Sequence, residues 1–155
     1  MTNQPLLFNQ NQGLYKKDFN LWLEGTIQAL RDGKLLEVDY AHLIEELESM
    51  GRSEKNDLKS HFKTLIFYLL KFKYQSQKRT NTWRYTITKY RQEIRNYLET
   101  SPSFKQFLTE MSDQCYQDAR RLTSDKIGLS PHVFPQECPF SLEEILDLDY
   151  LPEEN

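Results

Sequence analysis

Cysteine is scarce in this chain: its 155 residues hold two, Cys115 and Cys138, and no CxxC spacing. Both thiols are therefore expected to stay reduced in a cytoplasm, without a disulfide framework. Long apolar runs are missing as well. The charge-free stretch near the middle, Thr64 to Leu70, covers seven residues, whereas a membrane span needs about 20. The opening Met-Thr-Asn-Gln-Pro lacks the basic and apolar regions of a secretory signal. Net charge is small, −3 overall, so a general nucleic-acid binder is not indicated. There is no G-x-S-x-G, no H-E-x-x-H and no phosphate-cradling glycine loop. Helical ribonuclease toxins often carry an Arg followed by His four to six residues later. Here Arg31 and Arg52 precede His42 and His61 by larger gaps, so that chemistry loses support.

What the chain does hold is charge sorted by sign. Residues 37–57 carry seven acids against Arg52 and Lys55, and residues 71–95 carry eight bases against Glu93 alone. Such separation suits self-recognition, a latch between two helices of one chain, or a basic face turned to an anion. Aromatic residues are plentiful, with nine Phe, nine Tyr and two Trp, enough to fill a small helical core.

The apolar residues recur at three and four, the period of a helix. Asp18 is a natural N-cap for a first helix with Phe19, Trp22, Leu23, Thr26, Ile27 and Leu30 inward, and Asp32-Gly33 stops it. Asp39 caps a second, with Leu43, Ile44, Leu47 and Met50 inward, and Gly51 is a C-cap or a bend. Ser53 then opens a long helix whose face is Leu58, Phe62, Leu65, Ile66, Leu69 and Phe72. After a turn at residues 76–81, a fourth helix carries Trp83, Ile87, Tyr90, Ile94, Tyr97 and Leu98 inward and ends at Ser101-Pro102-Ser103. Ser103 with Gln106 reads as a capping box for a fifth, with Phe104, Phe107, Leu108, Met111, Cys115, Ala119 and Leu122 inward, closed by Gly128. Ser141 with Glu144 caps a short helix through Leu148. No segment alternates as a strand. The expected fold is all-α, a bundle of about five helices over residues 15–129. A flexible arm over 1–14 precedes it, and an irregular acidic tail over 130–155 packs on it. That tail holds seven acids and no base from Glu137 onward, and is expected to dock on the basic helices of this chain or of a twin.

Several strings, read in order, resemble one family: Tyr15-Lys-Lys-Asp18-Phe19 with Trp22; Asp39 with Leu43-Ile-Glu-Glu-Leu-Glu-Ser-Met-Gly-Arg-Ser-Glu54; Leu69-Leu-Lys71 with Tyr74-Gln75. Trp83 with Thr86-Ile87 and Arg91, Ser101-Pro-Ser103, and Cys138-Pro139 continue the series. Together they resemble the bacterial, and especially cyanobacterial, family called domain of unknown function 29, over roughly residues 14 to 151. The resemblance implies an all-helical fold and no established activity, so it carries over no catalytic residue. Many members of that family have His where this chain has Tyr68, so the resemblance implies no family-wide chemistry by a His there.

Candidate chemistry follows from charge and phase. His42, Glu46, Glu48 and His61 are the candidate metal ligands, but His42 precedes Glu45 by three, the reverse of a Glu-x-x-His pair. Glu46 and Glu48 border the apolar face and suit structural ion pairs better, with Arg91 as the expected partner. Lys71, Lys73, Lys78, Arg79, Arg84 and Arg91 are the candidates for an anion or nucleic acid. The solvated coat of a bundle explains most such residues equally well. Cys115 lies on an apolar stripe and Cys138 among acids, so neither suggests a nucleophile. The preferred reading is a non-catalytic interaction or regulatory module, binding a protein partner or itself and no cofactor. A nucleic-acid binder using residues 71–95, and a metal- or anion-dependent enzyme, are the alternatives.

Overall fold

A computed structural model describes residues 13–153, and among these every regular element is helical. Residues 1–12 of the expected arm lie outside the described residues, and residues 13–17 form a helical turn. Helix α1 spans Phe19–Arg31, α2 Tyr40–Tyr74, α3 Asn81–Thr100, α4 Phe104–Ile127 and α5 Leu142–Leu146. Single 3-10 turns stand at Leu35–Glu37, Ser76–Lys78 and Pro131–Val133. Two compact units divide the chain between Ser53 and Glu54, inside α2. No helix among the described residues is long and apolar enough to cross a membrane.

Local chemistry sets most of the boundaries. The Asp18 carboxylate accepts from the Leu21 N–H at 3.0 Å and starts α1. Thr80 does the same for α3 through the Trp83 N–H at 3.2 Å. Gly128 closes α4 at φ 74°, the left-handed conformation that favours glycine. Ser141 and Glu144 exchange both bonds of a capping box, at 3.0 and 3.1 Å, although α5 ends at Leu146 rather than Leu148.

One expected boundary and one expected capping box are absent. α2 runs unbroken for 35 residues through Gly51 and Ser53. One glycine inside a helix costs about 1 kcal/mol relative to alanine, whereas a break would orphan up to four N–H and four C=O groups. Ser103 does not cap α4 either: its backbone is itself helical, φ −61° and ψ −20°, and its hydroxyl makes no capping bond. The carbonyls of Ser101 and Pro102 instead accept from Phe104 and Lys105, and Gln106 turns forward to Glu110.

The unit from Glu54 onward holds a continuous core. Leu58, Phe62, Leu65, Ile66, Leu69 and Phe72 of α2 are buried against Ile87 and Ile94 of α3 and Leu108, Cys115, Tyr116 and Ala119 of α4. Phe134, Phe140 and Ile145 of the segment after Gly128 complete it. Trp83, Tyr90 and Tyr97 are half-buried at its edge, while Leu122, expected inward, is exposed.

The unit ending at Ser53 departs further from expectation. α1 buries Trp22, Thr26 and Ala29 and leaves Phe19, Leu23, Ile27 and Leu30 exposed. On α2, Ile44, Leu47 and Met50 are exposed rather than inward. The apolar period is therefore real in both helices, but it marks an uncovered face.

Candidate functional site

In the first unit, Asp39 gathers the residues with most chemical potential. Its side chain is fully buried just before α2. It accepts from the Trp22 indole N–H at 3.2 Å and from the His42 backbone N–H at 3.4 Å, and lies 2.6 Å from His42 Nδ1. The His42 ring stacks on Tyr15, with centroids 3.9 Å apart and planes at 17°. The Tyr15 hydroxyl donates to Glu46 at 2.5 Å, and its ring meets Trp22 edge-on. Of the metal candidates, His42 thus has Nδ1 engaged by Asp39, and Glu46 accepts a phenol. Glu48 is exposed and 4.0 Å from Arg52 on the same helix, an ion pair worth little. Among the described residues, no three His, Cys, Asp or Glu side chains are placed to hold a metal.

The hydrogen bond to Glu46, then burial and nearby carboxylates, push the Tyr15 phenol up to about 12. Burial does the same at Tyr116 and Tyr150, also to about 12. A raised phenol pKa favours the protonated native state. Its contribution is complete below the ordinary value near 10 and is lost as pH rises through 12. Absorbance at 295 nm will show Tyr15, Tyr116 and Tyr150 ionising above the ordinary value near 10, and Glu46→Gln will return Tyr15 alone toward about 10.

The second unit places Arg91 where a carboxylate was expected and supplies carbonyls instead. Buried at 1% exposure, it donates to Ile145 O at 2.7 Å, Tyr150 O at 2.6 Å and Glu144 O at 3.2 Å. Arg95 reaches Leu146 O at 3.4 Å. Together they satisfy carbonyls at the C-terminal end of α5, which has no intrahelical donors left. Arg79 bonds Phe72 O and Pro152 O while lying 4.1 Å over the Phe72 ring. Burial lowers the Arg91 pKa, partly offset by Asp147. The tail thus packs on the basic helices of its own chain, through its backbone more than its acids.

Of the other anion candidates, Arg84 shares the Phe72 ring with Arg79, its guanidinium 5.9 Å from the centroid. Lys71 lies among the rings of Trp83, Phe67 and Tyr68, at 4.3, 5.2 and 5.2 Å. Lys73 sits by Tyr74, and Lys78 and Arg84 are exposed. His61, the remaining metal candidate, faces Glu93 at 3.5 Å beside a polar cleft of about 260 Å³ that Glu54, Asn96 and Tyr97 also line. Its Nδ1 is buried without a hydrogen-bond partner. Burial raises both thiols, Cys115 and Cys138, which argues against either as a nucleophile.

The model of the family described as domain of unknown function DUF29 matches residues 14–151. The chain belongs to the DUF29 family. No curated protein and no solved structure matches it. The DUF29 match begins just before Tyr15 and ends just after Tyr150, so it takes in both the Asp39 cluster and the Arg91 clasp.

Sequence reasoning missed the clasp because carbonyl acceptors belong to every residue and leave no mark in side-chain identity. It missed the Asp39 cluster for a different reason. Asp39 reads as a helix cap, Trp22 as core and His42 as a metal candidate. Only the fold brings Trp22 and His42 to one carboxylate.

Proposed function

We propose that this protein is a non-catalytic docking module whose first unit receives a basic amphipathic helix of a partner protein. The reading rests on one observation. Phe19, Leu23, Ile27 and Leu30 of α1, and Tyr40, Ile44 and Leu47 of α2, are each between 38% and 58% exposed. On each helix these residues share one stripe, and on α1 that stripe is about 90° from the buried one by the 100° step. Apolar stripes of this extent on a soluble surface mark sites that another molecule covers. Glu48 stands about 70° from the centre of the α2 stripe by the 100° step, so a partner with Lys or Arg beside its apolar anchors is favoured.

The test uses the full chain and a synthetic helix of Leu and Lys at helical spacing. Calorimetry will detect binding that weakens as salt rises. Ile44→Glu with Leu47→Glu will weaken it by about tenfold or more, with the melting temperature unchanged because both positions are exposed. A peptide with Glu in place of Lys binding equally well would overturn the reading. So would the double variant binding like the parent chain. Sedimentation of the free chain separates the self-association alternative, in which the same substitutions would dissolve a dimer.

A further inference from the structure

A second site, independent of the docking surface, lies between α2 and α4. Lys63, Thr64, Phe67 and Tyr68 of α2 face Leu122 and Lys126 of α4 across a cleft of about 360 Å³, within the range of small-molecule sites. The α2 residues are helical neighbours, and Lys71 continues their stripe. Phe67, Tyr68 and Leu122 make the walls apolar, and Lys63 and Lys126 are the charged groups of the lining.

The cations here are uncompensated. Among the described residues, no carboxylate lies within ion-pair distance of Lys63, Lys71 or Lys126. Lys71 is held against Phe67, Tyr68 and Trp83, rings that steady its position. Burial, and then the charge of Lys126, lower its pKa. Two ammonium groups therefore repel across the wall of an apolar cleft, and an anion entering there would relieve that repulsion.

We propose that this cleft binds a soluble anionic amphiphile, an acyl or aromatic body with one carboxylate. The body lies on Phe67, Tyr68 and Leu122, and the carboxylate meets Lys126 and Lys71. A neutral ligand would leave the ammonium groups uncompensated, and a cation would add to the repulsion. A small inorganic anion would gain nothing from the apolar walls.

The experiment titrates the full chain with dodecanoate below its micelle concentration, read by calorimetry and by tryptophan fluorescence, since Trp83 borders Lys71. One equivalent is expected to bind saturably, with dodecyltrimethylammonium and acetate weaker by about tenfold or more. Lys71→Gln with Lys126→Gln will weaken dodecanoate by a similar factor, whereas Ile44→Glu with Leu47→Glu will leave it unchanged. That last arm separates this cleft from the docking surface. No binding, equal binding of the cationic amphiphile, or loss only in the Ile44/Leu47 variant would each overturn the proposal. Binding to anionic lipid vesicles that dodecanoate does not displace would reassign the cleft to a membrane surface and overturn it too. The cation comparison needs no variant, so the proposal stays testable even where a substitution impairs folding.

Discussion

Arg91→Leu will lower the stability of the chain by about 3–5 kcal/mol, the larger of the two greatest effects expected here. The side chain is 1% exposed and gives three hydrogen bonds to backbone carbonyls of Glu144, Ile145 and Tyr150. A bond to a charged donor contributes about 1.5–3 kcal/mol. Three such bonds do not add fully, because water reaches part of the freed backbone once the clasp opens. Melting will fall by roughly 2–4 °C for each kcal/mol lost, and denaturation in urea gives the free energy directly. Lysine at the same position will recover only part, since a point charge on a flexible stem cannot serve three carbonyls as a planar fork does. Arg95→Ala is the control. Its bond to Leu146 is 3.4 Å long and exposed, so the cost will stay below about 1 kcal/mol. Limited proteolysis will distinguish the two, with cleavage after Gly128 appearing in the Arg91 variant alone. If Arg91→Leu costs no more than Arg95→Ala, the clasp is not what orders the tail.

The contrast between these two arginines bears on what the sequence made legible. Elements governed by neighbours along the chain were readable: the Asp18 cap, the Gly128 stop and the Ser141–Glu144 box follow from a few residues each. Features set by competition were not. Gly51 and Ser53 carry a stop-and-restart signal, yet the unbroken α2 wins because the hydrogen bonds of a continuous helix outweigh one glycine. Periodicity likewise identified the apolar stripes of α1 and α2 but could not say what covers them. Trp22 and Leu23 are adjacent in the chain, and one is buried while the other is 38% exposed. The opposite charges of the two sorted segments suggested a carboxylate for Arg91. Burial favoured carbonyls at the end of a short helix, where acceptors had no other donor. The all-helical fold was thus largely open to reading. The candidate sites were not, since each depends on which residues from distant positions share one polar group.

Asp39→Ala is the second large effect, about 2–4 kcal/mol, and it tests the first unit as Arg91 tests the second. The carboxylate is fully buried and receives the Trp22 indole N–H at 3.2 Å and the His42 backbone N–H at 3.4 Å, with the ring Nδ1 at 2.6 Å. Alanine removes the shared acceptor and leaves the indole donor in a site where Trp22 is only 2% exposed. An unpaired buried donor costs its full desolvation, which is why truncation is worse here than the net value of any one bond. Asn is the informative intermediate. Its amide oxygen can still accept from Trp22, but its NH₂ then faces His42 Nδ1, which must take the tautomer that accepts. Asp39→Asn will therefore lose less than Asp39→Ala. Tryptophan emission in the alanine variant will shift to the red as water reaches the indole. Because Tyr15 is stacked on His42 and edge-on to Trp22, its ionisation will also move down from about 12 as the cluster loosens. Equal stability of all three proteins, with Tyr15 titrating as before, would mean that packing of the rings alone holds this unit. Asp39 would then be a helix cap and nothing more.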